Sequence, residues 1–428
     1  MIKLKLHWQI LIALLLAAIA GSLAGTEAGI FGIRFYAMFD FIGTLFLNAL
    51  KMLIVPLVVS SIIVGIAGIG SGGAFGRLGL KTLLYYMVTS LLAITVGLAI
   101  VNMVEPGMVD GAPAKHLVGL SENTEEVVAK VEGKGVGDLV GVFLRMVPTN
   151  VVAAAADGQM LGLIFFSLLF GFFMTKIEEV YAEKMYNFWQ GMFQVMMKIT
   201  DWVMLFAPIG VFGLVAKVVA STGYSAFVPL AWFFFSVIMG LAVHFLVVLP
   251  LLLLFVGRVN PLNHYRAMAP ALLTAFSTSS SAATLPLTME CVEKNAGVSN
   301  RTSSFVLPLG ATVNMDGTAL YECIAAMFIA QAYGIELGFV QQFTIVLMAL
   351  VTSIGVAAIP SASLVAIAII LAAVGLPVEA IGLILAVDRV LDMCRTSVNV
   401  FSDSCGAVII ARRTGEDGVL EEKAMQRD

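Results

Sequence analysis

The chain has 428 residues, of which 60% are hydrophobic and only 12% are charged, and its mean hydropathy of +0.99 is far above that of a soluble domain. This composition excludes a water-soluble enzyme. The net charge of −4, without basic stretches interleaved with aromatic residues, excludes a nucleic-acid-binding protein. The composition indicates a protein folded largely in membrane lipid.

Six apolar segments before residue 258 are predicted to cross the bilayer, since a spanning helix needs about 20 mainly apolar residues. They are Trp8–Gly25, Phe35–Gly70, Leu80–Val104, Met160–Thr175, Phe188–Ala220 and Phe227–Val256. The first is not a signal peptide, because no small-residue cleavage site leading into a polar chain follows it.

Lysine and arginine concentrate in alternate connections, from Lys3 and Lys5 at the start to Arg412 and Arg413 near the end. Basic loops stay in the cytoplasm, so both termini are predicted to be cytoplasmic. The acidic loop Pro106–Asp138 is predicted to lie outside.

Two later apolar segments are interrupted at their centres, Pro261–Glu293 by Ser277–Pro286 and Phe339–Gly375 by Ser353–Ser363. Each interruption holds a proline among small residues, which favours two half-length helices meeting at a tip. Non-helical backbone at membrane depth must line protein or a cavity, so such tips mark a site. The alternative is a small-residue packing face on an ordinary span. Each segment precedes another helix, Thr302–Tyr333 or Val378–Ala411, and this pattern indicates an inverted-repeat transporter.

The last helix carries a stripe of polar side chains within an arc of roughly 100°. Its members are Asp388, Asp392, Arg395, Thr396, Asn399 and Asp403. Facing lipid, each charge would cost about 3 kcal/mol, so the stripe must face protein, ions or water. Mutually paired charges are the alternative, but three aspartates against one arginine do not balance. We therefore expect a bound metal cation or a substrate ammonium.

A second group is Asn314-Met315-Asp316-Gly317-Thr318, whose Asn314 and Asp316 cannot share a face of a regular helix. Gly317 is expected to let the helix unwind and expose oxygen ligands suited to a small cation. The alternative is a kink with an internally hydrogen-bonded aspartate. Tyr86, Thr89 and Ser90, at i, i+3 and i+4 of the third span, are by themselves more typical of helix packing.

Enzyme chemistry is not predicted. The serine run Ser279–Ser281 has no histidine at a spacing that ties a base to it, and its hydroxyls are expected to face an anionic ligand. His244 is interpreted as a hydrogen-bonded packing residue, with a proton relay as the alternative. The four cysteines lack any CxxC spacing and are expected to be packing thiols.

These motifs together resemble the dicarboxylate/amino acid:cation symporter family, the sodium-coupled glutamate and aspartate transporters. The resemblance covers nearly the whole chain and rests on Tyr85–Ser90, the serine-rich tip ending at Pro286, Asn314–Thr318 and Asp392–Val400. It implies an all-α polytopic membrane protein of the glutamate-transporter fold, with eight transmembrane helices and two re-entrant helical hairpins in inverted repeats.

The resemblance also implies how the chain is divided and where it works. Scaffold segments would be 1–78 and 143–224, the transport domain 79–106 and 225–413, the extracellular loop 107–142 and the cytoplasmic tail 414–428. The transport domain would slide past the scaffold in an elevator-type movement. A homotrimer surrounded by lipid in the plasma membrane, the inner membrane of a bacterium, is expected.

Site roles follow residue by residue from the same resemblance. Arg395 would pair with the substrate side-chain carboxylate and Asp392 with its α-ammonium. Further substrate contacts would come from Ser280, Ser281, Thr318, Ile359, Thr396 and Asn399. Sodium ions, the coupling ions in a protein with no covalent cofactor, would bind at three sites. These are Gly310, Asn314, Asn399 and Asp403; Tyr86, Thr89, Ser90, Asn314 and Asp316; and Thr312, Ser353, Ile354 and Val356.

In the resemblance, four positions bear on the coupling ions. Asp403 favours sodium, because proton-coupled relatives often carry asparagine there, and Glu322 is a candidate proton carrier or a neutral hydrogen-bonding residue. Members commonly carry a further arginine where this chain has Ser279 or Met393, which leaves potassium counter-transport open. The alternatives are a proton-coupled glutamate/aspartate or C4-dicarboxylate symporter and, from another class, an ion channel.

Overall fold

A computed structural model describes residues 6–70, 77–114, 144, 147–157, 159–355, 362–416 and 418–420. Within them the chain is mostly helical, with two short antiparallel hairpins at connections between helices. These pair β1 (Gly29–Ile30) with β2 (Ile33–Arg34) and β3 (Met108–Val109) with β4 (Ala112–Pro113). Much of the predicted extracellular loop and most of the predicted cytoplasmic tail lie outside the described residues.

The helices follow the apolar segments of the sequence. In chain order they are α1 Leu6–Ala24, α2 Phe35–Gly70, α3 Arg77–Val104, α4 Val151–Ala156, α5 Met160–Met174, α6 Glu179–Met204, α7 Ala207–Thr222, α8 Phe227–Val243, α9 Leu249–Leu252, α10 Pro261–Thr278, α11 Ser281–Glu290, α12 Asn300–Val313, α13 Asp316–Tyr333, α14 Phe339–Gly355, α15 Ala362–Val374 and α16 Ile381–Arg413. Four stretches among the described residues are long and apolar enough to cross a membrane, namely Phe35–Ala67, Leu78–Val104, Ala207–Ser225 and Phe227–Gly257.

One predicted span is wrong. The segment Phe188–Ala220 is not a single helix, because α6 ends at Met204 and α7 begins at Ala207. Pro208 lies in the first turn of α7, where a residue without an N–H group is tolerated, and it has no N–H group to donate to Met204 as a continuous helix would require. By contrast, the second predicted span coincides with α2.

The predicted span Phe227–Val256 is confirmed as a continuous helical path, but its hydrogen bonding changes along its length. Two π-helical segments, His244–Val248 and Leu253–Gly257, flank the short α9. Such π turns are frequent at functional sites, and His244 is the first residue of the first one. The irregularity therefore coincides with a buried polar side chain.

Both interrupted segments form paired helices. In the first, α10 and α11 pack together and the chain breaks only at Ser279 and Ser280, a shorter interruption than predicted because Ser280 caps α11. In the second, α14 packs against α15 and continues through Ser353 and Ile354 to Gly355. The predicted ligands Val356 and Ile359 lie outside the described residues.

The helices pack in two sets around different partners. Helices α1 and α2 pack on α7, and α2 also contacts α5 and α6. Gly213 permits the crossing of α2 and α7, since a Cβ there would lie 2.8 Å from the backbone of Gly43. Helix α16 instead contacts α10, α12 and α13, and α3 packs along α13. The polar stripe of α16 is therefore enclosed by protein and not by lipid.

Candidate functional site

The site begins at a break between α12 and α13. Asn314 and Met315 have extended or irregular backbone, and helical geometry resumes at Asp316. The predicted unwound turn is thus present, but the prediction that Gly317 lets the helix unwind is wrong. Gly317 lies within the first turn of α13, where a Cβ would be 2.8 Å from the carbonyl oxygen of Arg395. It permits close packing on α16 and does not itself unwind the helix.

A buried group of polar side chains, here the carboxylate cluster, surrounds this break. It consists of Ser90, His244, Asn314, Asp316, Ser402 and Asp403, all at most 4% exposed. Asp316 accepts hydrogen bonds from the hydroxyls of Ser90 at 2.8 Å and Ser402 at 2.6 Å. The amide nitrogen of Asn314 donates to Asp403 at 2.9 Å. Four helical segments therefore bring oxygen atoms to one place.

Two members of the carboxylate cluster were not among the predicted ligands. The Nε2 atom of His244 lies 3.0 Å from Asp316 Oδ2, so His244 contacts the site directly and does more than pack in an apolar span. Ser402 also receives a hydrogen bond from Asn314 at 3.0 Å. The only sequence signals were a histidine within an apolar segment and a serine next to Asp403. Neither pattern identifies a partner without the fold.

Three further predicted ion ligands lie around the cluster. The Tyr86 hydroxyl donates to the Val306 carbonyl at 2.7 Å, and the Thr89 hydroxyl lies 3.4 Å from the Asn314 side-chain oxygen. Gly310 leaves room at the centre, since a Cβ there would lie 2.5 Å from Asp403 Oδ1 and 2.6 Å from the Tyr86 hydroxyl. Hydroxyls, an amide oxygen and two carboxylates are hard oxygen ligands that fit a small cation.

The predicted third ion group is not joined in the same way. Thr312 is exposed and donates to the Leu309 carbonyl at 2.9 Å, within its own helix. Ser353 is buried and donates to the Leu350 carbonyl at 2.8 Å. Ile354 lies in α14, one residue before its end. The role of these residues stays a prediction.

Toward the other end of the stripe, α16 carries a row of alternating charges, here the charge ladder. Its members are Asp388, Arg389, Asp392 and Arg395. Arg395 is 1% exposed and contacts Asp388 at 3.1 Å and Asp392 at 2.9 Å, while Arg389 contacts the other oxygen of Asp392 at 3.3 Å. The guanidinium of Arg395 also lies 3.9 Å from the centre of the Tyr321 ring.

The predicted imbalance of three aspartates against one arginine is wrong for the charge ladder. Arg389, which is not part of the predicted stripe, brings a second positive charge to the two ladder aspartates. Two arginines and two aspartates balance. Within the stripe and the break before α13, the carboxylates without a Lys or Arg partner in the described part of the chain are Asp316 and Asp403. The expected need for a cation therefore falls at the carboxylate cluster.

Three predicted substrate contacts lie between the ladder and the cluster. The side-chain oxygen of Asn399 accepts the backbone N–H of Gly317 at 2.8 Å, and its nitrogen donates to the Thr318 hydroxyl at 3.2 Å. The Thr396 hydroxyl donates to the Asp392 carbonyl at 2.8 Å. Asn399 thereby connects α16 to the first turn of α13, so the two charged regions share one framework.

The first hairpin tip places its serines at a helix start. Ser279 adopts a left-handed conformation with φ 51°, and the Ser280 hydroxyl accepts the N–H of Ala283 at 3.2 Å. Ser281 begins α11 and is 7% exposed. A helix N-terminus carries unpaired N–H groups, which suit a carboxylate.

Glu322, the candidate proton carrier, is fully buried in α13. One of its oxygens accepts a hydrogen bond from the Thr352 hydroxyl at 2.8 Å, and its other oxygen has no hydrogen-bond partner among the described residues. A buried carboxyl with a single hydroxyl partner is most stable when it is neutral.

Broken helices and paired half-helices around a buried charged site define a secondary active transporter. Comparison with known sequences identifies the family: the sequence profile described as the sodium:dicarboxylate symporter family matches residues 6–413. The chain belongs to this family, and it is a transporter and not an enzyme.

Curated relatives align over almost the full chain. It is 37% identical to the proton/glutamate-aspartate symporter of Escherichia coli, over 96% of this chain and 93% of that protein. It is 35% identical to the proton/sodium-glutamate symport protein of Bacillus caldotenax, over 99% and 97%. It is 36% identical to the mouse excitatory amino acid transporter 3, over 96% and 86%.

Proposed function

We propose that this chain is a symporter that takes up an acidic amino acid, L-glutamate and/or L-aspartate, driven by the sodium gradient. The observation that carries the proposal is Arg395, a buried guanidinium held between Asp388 and Asp392. Few biological roles justify a buried arginine, and binding a carboxylate is the chief one for its planar, two-pronged donor group. The relatives named above support an acidic amino acid as substrate.

The ladder suits a substrate that carries both signs of charge. In the structure Arg395 and Asp392 pair with each other at 2.9 Å. An amino acid with an acidic side chain replaces that one pair by two, side-chain carboxylate on Arg395 and ammonium on Asp392, and its α-carboxylate would face the N–H groups at the start of α11. Arg395 also has an Nε–H group without a hydrogen-bond partner among the described residues, which is a donor available to the carboxylate.

A C4-dicarboxylate suits the charge ladder less well than an acidic amino acid does. A dicarboxylate would draw Arg395 away from Asp392 and offer Asp392 no cation in return. Thr318, Thr396 and Asn399 would contact the polar groups of the substrate. Ser280 and Ser281 from the first hairpin, with Ile359 from the second, would close over it.

Two sodium ions would be held in and around the carboxylate cluster, and a third would be held apart from it. One ion would use Gly310, Asn314, Asn399 and Asp403, and a second would use Tyr86, Thr89, Ser90, Asn314 and Asp316. A third would use Thr312, Ser353, Ile354 and Val356. Bound cations would supply the positive charge that Asp316 and Asp403 otherwise lack, so the transported complex would cross the membrane region without exposed charge.

Proton coupling is the second candidate, and the buried carboxyl of Glu322 favours it. Two of the relatives are named as proton symporters. If Glu322 carries a proton with the substrate, Glu322→Gln removes the dependence of uptake on a proton gradient and keeps the dependence on sodium. A Glu322→Gln protein that still accumulates substrate on a proton gradient alone would contradict this role.

Uptake would proceed by an elevator-type movement in a multi-pass protein of the plasma membrane, the inner membrane of a bacterium. Residues 1–78 and 143–224 would form the scaffold of a homotrimer, and residues 79–106 and 225–413 the moving domain. This arrangement would have eight spans and two hairpins, with both termini in the cytoplasm. The packing of α16 on α10, α12 and α13 supports a moving domain that contains these helices together.

Purified protein in liposomes tests the proposal directly. Labelled glutamate or aspartate should accumulate when a sodium gradient is imposed, with proton and potassium gradients varied separately. Accumulation without sodium would remove the sodium assignment. Rapid flux without accumulation, and without exchange of internal for external substrate, would favour a channel.

A further inference from the structure

Arg389 is the second arginine of the charge ladder, and the proposed function places no substrate group on it. Its Nη1 atom lies 3.3 Å from Asp392 Oδ2, and the two side chains are 16% and 14% exposed. The contact joins residues three apart on α16, so helix geometry keeps the two groups adjacent.

The two oxygens of Asp392 are divided between two arginines. Oδ1 accepts Arg395 Nη2 at 2.9 Å, and Oδ2 accepts Arg389 Nη1 at 3.3 Å. Arg395 differs from Arg389 in having a second carboxylate, Asp388, at 3.1 Å. Asp392 is therefore the only ladder carboxylate that two arginines share.

We propose that Arg389 is a positioning residue for substrate binding, which holds Asp392 toward the α-ammonium after Arg395 has turned to the substrate carboxylate. This inference rests on the proposed function. When Arg395 leaves Oδ1, the ammonium takes that oxygen and Arg389 keeps Oδ2. Asp392 then has a cation on each oxygen both before and after binding.

Charge balance leads to the same role. With Arg389 the ladder has no net charge, whereas without it the ladder is negative by one unit and opposes an anionic substrate. Loss of Arg389 also frees Asp392 to close onto Arg395, which strengthens the pair that substrate must separate. Both effects weaken binding of the acidic amino acid, and neither bears on the carboxylate cluster. The Nε–H of Arg389, buried without a hydrogen-bond partner in the described part of the chain, shows that no other group fixes this side chain through that atom.

The test compares Arg389→Gln, Arg389→Lys and wild type for uptake of labelled aspartate by proteoliposomes. We expect Arg389→Gln to raise the KM for aspartate about tenfold, the factor of one modest ion pair, with Vmax within about twofold of wild type. Arg389→Lys keeps the charge and loses the planar fork, so its KM should rise only about threefold. The sodium concentration for half-maximal uptake at saturating aspartate should not change.

The matched control is Arg34→Gln, which removes an arginine paired with Glu27 at 3.3 Å where both side chains are more than 60% exposed. Its KM should equal that of wild type. An unchanged KM in Arg389→Gln overturns the inference. So does a fall in Vmax and thermal stability that Arg389→Lys does not restore, since that result defines a merely structural residue. Absence of sodium-driven aspartate uptake by wild type would instead overturn the proposed function.

Discussion

The charge ladder and the carboxylate cluster lie along one face of α16 and differ in which groups contact their carboxylates. In the charge ladder each carboxylate contacts a guanidinium, and two arginines balance two aspartates. In the carboxylate cluster Asp316 and Asp403 contact hydroxyls, an amide and His244, and among the described residues neither contacts a lysine or arginine. Ladder and cluster are separated by only two helical turns, Arg395 to Asp403.

The difference shows where each ligand belongs. A balanced row of charges can exchange its internal pair for pairs with the ammonium and the side-chain carboxylate of an acidic amino acid at little net cost. A buried pair of carboxylates without a lysine or arginine partner among the described residues lacks a fixed positive charge, and desolvation makes that lack expensive. The ladder is therefore the expected place of the amino acid and the cluster the expected place of the coupling cation.

The largest effect is expected from Arg395→Cys. Removing this guanidinium leaves Asp388 buried without a basic partner among the described residues and Asp392 with Arg389 alone, and breaking a buried pair costs roughly 3–5 kcal/mol. Uptake of glutamate and aspartate should fall by on the order of a hundredfold or more. Uptake of a neutral amino acid such as serine, measured in the same liposomes, should not be lost. Unaltered glutamate uptake would remove Arg395 from the site.

A paired experiment separates the two regions. Asp403→Asn removes one charge from the cluster, and we expect the sodium concentration for half-maximal uptake to rise about tenfold, because cation affinity depends on the charge of the ligands. Asp388→Asn removes one negative charge from the ladder and one carboxylate that competes for Arg395, so it should lower the substrate KM instead. Both are measured at saturating concentrations of the other ligand, because the binding of the two is linked. Equal effects on both constants would show that the regions are not separate sites.

A smaller effect is expected when the shape of the carboxylate cluster is changed and its charge is kept. In Gly310→Ala the added methyl would lie 2.5 Å from Asp403 Oδ1, so the carboxylate must shift. We expect sodium affinity to fall several-fold, by roughly 1 kcal/mol of misplacement. Gly65→Ala is the control, since a Cβ at Gly65 meets nothing within 4 Å. Sodium activation of Gly310→Ala like that of wild type would exclude Gly310 from the cation site.

How far the sequence predicts this site depends on the range of the interactions. The stripe of α16 and the break at Asn314 follow from helix periodicity and local residue types, and the structure places both as expected. The approach of His244 to Asp316 joins residues 72 positions apart, so no local pattern shows it. Arg389 was missed for a different reason. It was left out because it lies beside the predicted stripe, yet an arginine side chain is long enough to reach back to Asp392.

The same distinction applies to the fold. Apolar length predicts α2 to the residue, and the small-residue runs predict that α10 is followed by α11 and α14 by α15. The break between α6 and α7 was missed, because hydropathy is high on both sides of it and only Pro208 marks the start of the second helix. Helical periodicity shows which face of a helix is polar. It does not show where one helix ends when the next helix in the chain is equally apolar.

The smallest effect concerns a third carboxylate, Glu416, which like Asp403 is met by hydrogen-bond donors but lies beyond the end of α16. It accepts the N–H of Ser299 at 2.8 Å and the Ser299 hydroxyl at 2.7 Å, with the Thr302 hydroxyl close by. Burial acts to raise the pKa of Glu416, but these hydrogen bonds outweigh burial and hold it below its ordinary value of 4.5. Ser299 is the N-cap residue of α12, so the carboxylate of Glu416 also lies at the N-terminal, positive end of that helix dipole.

A carboxyl whose pKa is lowered by folding stabilises the folded state above its unfolded pKa and ceases to do so as the pH falls through the folded value. Glu416→Gln should therefore lower the free energy of unfolding by about 1 kcal/mol at pH 7, with sodium activation and substrate KM unchanged. The difference in melting temperature between the two proteins in detergent should shrink as the pH is lowered below 4.5. A change in the sodium concentration for half-maximal uptake would mean that Glu416 is coupled to the carboxylate cluster. A difference that persists undiminished at low pH would mean that packing, and not the charge, stabilises this contact.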